Sequence, residues 1–147
     1  MASAAKKPKN AGPQAKDNPP EVDADYFCVE DGVRFAGRHV ILDFWGCDHL
    51  DNADFIDRAL RKAAADAGAT ILHGHFHCFS PYGGVTGVLV LAESHISIHT
   101  WPERSFAAID IFMCGGCDAQ DAAPALKRAF QPSRISVVTE RRGVDAA

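Results

Sequence analysis

From residue 70 to residue 113 the chain carries four apolar, β-branched runs with almost nothing between them. Residues 70–79, 85–91, 95–100 and 106–113 each read as a strand. Pro81-Tyr82-Gly83-Gly84 is a turn between the first two, and a short break near Glu93-Ser94 parts the second from the third. A parallel crossover needs about a dozen residues or more, so strands joined this closely must pair antiparallel.

The rest of the chain supplies the layer that covers such a sheet. Residues 38–45 form a further strand, bounded by Gly37 and Gly46. A helix follows, capped by Asp51, with Asp54 in its first turn and Gly68 closing it. Phe55, Ile56, Ala59, Leu60, Ala63 and Ala67 recur at three- and four-residue steps and make one apolar face. Asp57, Arg58, Arg61, Lys62 and Asp66 fall mostly away from it. A second helix runs over about 122–130, with Pro124 held to its first turn because proline has no N–H to donate deeper in. Residues 135–140 make a last strand. This order predicts an α+β fold: a two-layer sandwich of a mainly antiparallel sheet with two helices on one face.

The length of 147 residues suits one domain able to bury a core, placed at residues 21–147. Residues 1–20 have no large apolar side chain after Met1 and are expected to form a disordered tail, with Lys6-Lys7-Pro8-Lys9 solvated. Residues 21–36 are transitional, with Tyr26, Phe27, Val29, Val33 and Phe35 available to dock on the core. A net charge of −4 offers no basic face, so nucleic acid is not an expected partner. No run is long enough to span a membrane. The odd count of five cysteines, scattered in a domain that needs no staples, favours free thiols and a cytoplasmic protein.

Several motifs compete for the chemistry. His73, His75 and His77 alternate and so share one strand face, which suits a metal; nothing nearby completes a site, and an exposed face explains them as well. Cys114-Gly115-Gly116-Cys117 has redox or zinc spacing but no second pair and no helix beginning at Cys114. Cys28, Cys47 and Cys78 read as partly buried thiols. Gly83-Gly84-Val85-Thr86-Gly87 lacks the ending of a phosphate loop and precedes a strand, so it is a hairpin turn. Ser94, His99 and Cys114 remain, at the end of strands that should be buried; a Ser close to His residues suits an activated nucleophile. Strand period sets a condition on that reading. Residues 95, 97 and 99 share one face and Ser94 the other, so Ser94 and His99 meet only if the backbone departs from the strand at Ser94.

The string from Glu93 to Glu103, Glu-Ser-His-Ile-Ser-Ile-His-Thr-Trp-Pro-Glu, followed by Asp110-Ile111-Phe112-Met113-Cys114-Gly115, resembles the signature of the small prokaryotic S-adenosylmethionine decarboxylase proenzymes. The likeness runs from about Gly37 to Glu140 and includes Trp45-Gly46-Cys47-Asp48, Gly68-Ala69-Thr70, Phe79-Ser80-Pro81 and Gly84-Val85-Thr86-Gly87. It implies cleavage between Glu93 and Ser94. The Ser94 hydroxyl attacks the Glu93 carbonyl, the resulting ester undergoes β-elimination, and dehydroalanine hydrolyses to a pyruvoyl group and ammonia. His99 matches the processing histidine that takes the serine α-proton. Thr86 stands beside the bond where many members have Ser, keeping the hydroxyl and adding a methyl group. The pyruvoyl group, a covalent cofactor derived from Ser94, then forms a Schiff base with the substrate amine and acts as electron sink. Cys114 matches the proton donor, Glu103 the carboxylate that holds the ribose hydroxyls, and Phe79 the aromatic that stacks on adenine. No metal is implied. Family members work as homo-oligomers of cleaved protomers, with sites at the dimer interface. The implied activity is conversion of S-adenosylmethionine to S-adenosylmethioninamine for spermidine biosynthesis. Two other readings stay open. A pyruvoyl-dependent arginine or ornithine decarboxylase on the same scaffold would keep Ser94, His99 and Cys114, but Glu103 and Phe79 lean against it. A non-enzymatic partner-binding relative would have no use for Glu93-Ser94, His99 and Cys114 together.

Overall fold

The computed structural model describes residues 21–145; the tail expected over residues 1–20 lies outside them. Three short strands come first: β1 (Glu21–Val22), β2 (Cys28–Glu30) and β3 (Val33–Phe35). They form a small antiparallel sheet of their own, in the order β1-β2-β3. The transitional segment is therefore structured. Of the side chains expected to dock, Phe35 is buried, whereas Tyr26 stands 63% exposed. Cys28 takes the second buried position.

The main sheet has six strands: β4 (Gly37–Trp45), β5 (Ile71–Cys78), β6 (Val85–Leu91), β7 (Ser94–Trp101), β8 (Phe106–Cys114) and β9 (Arg134–Arg142). Their order is β5-β6-β7-β8-β4-β9, and every neighbouring pair is antiparallel. The connection from β6 to β7 is two residues, Ala92 and Glu93, because Leu91 pairs directly with Ser94. Burial alternates along the central strands with period two, as a half-covered sheet requires. Phe76 lies opposite Gly87 and its ring fills the place a Cβ would take, so only glycine fits there.

Helices α1 (Ala53–Asp66) and α2 (Ala123–Phe130) cover one face. The cap of α1 is Asn52, not Asp51. The Asn52 side chain accepts from the Phe55 N–H at 3.0 Å, one residue later than the spacing suggested. Gly68 follows Ala67 with φ +73° and ends the helix as expected. Ile56, Leu60, Ala63 and Ala64 press onto Leu42, Phe44, Leu89, Ile96, Ile98, Ile109 and Ile111, all buried. Phe130 of α2 meets Phe44 and Phe55 edge-on, which ties both helices to β4. Pro124 sits in the first turn of α2.

Among the described residues the opposite face carries no helix. It presents Trp45, Phe106 and Trp101 as a row across β4, β8 and β7, with ring centroids 4.3 and 5.3 Å apart. His39, Asp110, His95 and Phe112 lie further along it.

Candidate active site

The Glu93–Ser94 bond lies at the tip of the β6–β7 hairpin, and three hydrogen bonds to one residue fix the turn. Thr70 donates to the Glu93 carboxylate through its N–H, at 3.0 Å, and its hydroxyl, at 3.2 Å. Its carbonyl accepts from Ala92 N–H at 2.9 Å. Two-residue hairpins ordinarily place a positive φ within the loop. Here Ala92 and Glu93 have none, and the positive value, 157°, falls on Ser94. The departure from regular strand geometry thus sits on the residue beside the bond.

Cys114, the last residue of β8, completes this end. Its N–H and its thiol both donate to the Glu93 carbonyl oxygen, each at 3.0 Å. This is the carbonyl that a Ser94 hydroxyl would attack. Two donors on one carbonyl draw electron density from its carbon and await the negative charge that attack creates. Cys117 donates instead to the Gly68 carbonyl at 3.5 Å. Burial, then the nearby Glu93 carboxylate and Cys114, push its thiol up, which keeps it protonated.

The other residues singled out from the sequence gather elsewhere. Phe79, Thr86, His99 and Glu103 line a cleft of about 260 Å³ together with Ser80, Tyr82 and Trp101. Thr86 and His99 are cross-strand partners, and the Thr86 hydroxyl lies 3.1 Å from His99 Nδ1. Glu103 is the middle residue of the 3-10 turn Pro102–Arg104. Phe79 is 52% exposed and touches the His77 ring edge-on at 4.5 Å. Thr100 sits beneath them as a buried polar side chain: its hydroxyl donates to the Leu50 carbonyl and accepts from the Val85 N–H.

Within one chain the two groups do not meet. Ser94 and His99 are five residues apart on β7, roughly 16 Å at strand rise, and on opposite faces. The break at Ser94 does not bring it to His99; the hydroxyl that meets His99 is Thr86. His73, His75 and His77 sit along edge strand β5 opposite Val90, Val88 and Thr86. Among the described residues no group of three or more His, Cys, Asp or Glu could hold a metal ion. Sequence reasoning missed the anchoring by Thr70 and the place of Trp101 and Tyr82 in the cleft. Thr70 had a signal, since Gly68-Ala69-Thr70 belongs to the resemblance; Tyr82 had none beyond its turn.

The family model for S-adenosylmethionine decarboxylase matches residues 38–143. Curated proteins named S-adenosylmethionine decarboxylase proenzyme are similar over about three quarters of the chain. One from Thermomicrobium roseum is 43% identical over 76% of this chain and 97% of its own length. One from Thermotoga maritima is 47% identical over 76% of this chain and 87% of its own. A solved structure of the adenosylmethionine decarboxylase from Aquifex aeolicus VF5 superposes with a TM-score of 0.70 at 36% identity, covering 76% of this chain and 93% of that one.

Proposed function

The chain belongs to the S-adenosylmethionine decarboxylase family, and from that premise we propose that it cleaves itself between Glu93 and Ser94 and then converts S-adenosylmethionine to S-adenosylmethioninamine, the aminopropyl donor of spermidine biosynthesis. The observation that carries the reading is the Glu93 carbonyl, held by the N–H and thiol of Cys114 at the tip of a pinned hairpin. A preorganised donor at a developing oxyanion is worth about 10²–10³-fold in rate. Ser94 is the nucleophile of cleavage, and the Thr70 contacts keep the turn from relaxing away from it.

The pyruvoyl group left at Ser94 supplies the electron-withdrawing carbonyl that a decarboxylation requires. The residues around it fit that use. The Cys114 thiol lies against the cleavage point and serves as proton donor for the carbon that loses carbon dioxide. Glu103 accepts the ribose hydroxyls, and the exposed Phe79 ring stacks on the purine.

His99, Thr86, Glu103 and Phe79, which line one cleft, enter together from a second copy of the chain in this proposal. Three features support a homo-oligomer with shared sites. The cleft, at about 260 Å³, is smaller than the ~300–1,000 Å³ of ordinary small-molecule sites. Its residues lie far from Ser94 in the same chain. The Trp45–Phe106–Trp101 row leaves an uncovered aromatic face for a partner to bury. A cytoplasmic location belongs to the same reading, supported by five free thiols.

Purified protein is expected as two chains, residues 1–93 and 94–147, the second closed to Edman sequencing. It is expected to release carbon dioxide from S-adenosylmethionine far faster than from arginine or ornithine. A stable full-length mass refutes self-cleavage; efficient release from either amino acid alone refutes the substrate. Co-expression of Ser94→Ala and His99→Ala chains tests the shared site, because cleavage in the mixture requires His99 to act on another chain.

A further inference from the structure

The N-terminal meander β1–β3 lies ahead of Arg38, where the family match begins, and it folds onto the loop behind Cys114. Its buried Cys28 donates its thiol to the Gly115 carbonyl at 3.1 Å. Gly115 N–H donates back to the Tyr26 carbonyl at 3.0 Å. The residue next to Cys114 therefore has both backbone groups bonded to the meander. Gly115 has φ +66°, and a Cβ there would stand 3.1 Å from the Tyr26 ring, so the contact is shaped for glycine. Burial pushes the Cys28 thiol up, which keeps it the donor.

A second tie holds the far end of the loop. The Arg38 guanidinium bridges Glu30 of β2 and Asp118, the latter at 2.9 Å. Asp118 in turn accepts from the Gln120 N–H. Arg141 comes within 3.9 Å of Glu30 and lies over the Phe35 ring at 5.0 Å. The loop from Cys114 to Asp118 is thus held by the meander directly at Gly115 and, through Glu30 on Arg38, at Asp118.

We propose that the meander Glu21–Phe35 is an intramolecular clamp that sets the position of the Cys114 thiol, with Cys28 and Glu30 as its positioning residues. The inference rests on Cys114 being the proton donor. A displacement of about 1 Å at such a group costs on the order of 10²-fold. A misplaced thiol also lets the proton go to the wrong carbon. The substrate nitrogen then remains on the enzyme as an N-terminal alanine in place of the pyruvoyl group, and water releases the decarboxylated substrate as an aldehyde.

The test uses the full chain and counts turnovers completed per N-terminal alanine formed, by mass spectrometry of the short chain, beside kcat and KM. Cys28→Ala and Glu30→Gln are each expected to lower that ratio about tenfold with KM unchanged, and Cys28→Ser, which keeps a donor, to recover most of it. Should Cys28→Ala not fold, Glu30→Gln carries the test, since its carboxylate is partly exposed. A wild-type ratio in the clamp variants, with a lowered ratio in Cys114→Ala, overturns the clamp alone. A wild-type ratio in Cys114→Ala overturns the donor reading and the clamp with it.

Discussion

The covered and open faces of the main sheet come from the same strands but are built for different ends. On the covered face Leu42, Phe44, Leu89, Ile96, Ile98, Ile109 and Ile111 are buried under two helices. On the open face the alternate residues of those strands are His39, Asp110, His95, Ser97, His99, Thr86, Trp101 and Phe106. The first set answers to packing and would be interchangeable with other apolar side chains of like volume. The second carries hydroxyls, imidazoles and rings with few partners of their own kind in the chain. One side of each strand holds the fold together while the other side is free to hold chemistry. Ser94 and Cys114 sit where strands end, so the backbone can be broken there without unzipping the ladder.

If the faces divide labour in this way, changes to function should leave stability alone, and the reverse. The largest effect is expected from Ser94→Ala, which abolishes cleavage entirely while the melting temperature stays close to that of unprocessed wild type; any short chain on a gel refutes the nucleophile. Cys114→Ala is expected to lower kcat by about 10²–10⁴-fold in whatever protein is processed, measured as carbon dioxide release. Near-normal turnover would remove Cys114 from the mechanism.

On the covered face Ile98→Ala is expected to cost about 2–5 kcal/mol in denaturant unfolding, because Ile98 is fully buried. Its open-face neighbour Ser97→Ala should stay within about 0.5 kcal/mol. Equal costs would erase the distinction between the faces. In the cleft, Glu103→Gln and Phe79→Ala are each expected to raise KM for S-adenosylmethionine roughly tenfold with cleavage intact, from a lost charge-assisted bond and a lost stacking contact. Unchanged KM in both would place the substrate elsewhere.

The smallest effect concerns His95, which burial, then the neighbouring His39, hold below its ordinary value against the pull of Asp110. An unfolded chain takes up this proton at higher pH than the folded one. The contribution of His95 to stability is therefore full above the unfolded value near 6.5 and is lost as pH falls through the folded value. His95→Gln should lose less stability than wild type between pH 7.5 and 5.5; an equal or larger loss refutes the assignment.

The sheet was legible because its signals are local. Apolar runs alternate, connections are short, and Gly37, Gly46 and Gly68 mark ends, so the antiparallel arrangement of the strands over residues 70–113 followed from the short connections, while the place of β4 between β8 and β9 did not. The helix start was off by one residue because Asp51 and Asn52 are both good caps and the choice depends on which side chain reaches the Phe55 N–H. The meander was not legible. Strands of two or three residues carry too little periodicity to show, and what orders them is contact with Arg38 and with Gly115, the latter 87 positions from Cys28.

By itself, then, the sequence determined the antiparallel sheet and its two covering helices, since a strand's period is a property of neighbours along the chain, and its resemblance to a family singled out the residues proposed as reactive. Only the tertiary structure decided which residues share a place. It put the Cys114 thiol on the Glu93 carbonyl, because β8 pairs with β7 in the register Ser94↔Met113. It also separated His99 from Ser94 by the length of a strand, because hydrogen-bonded β7 cannot fold back upon itself.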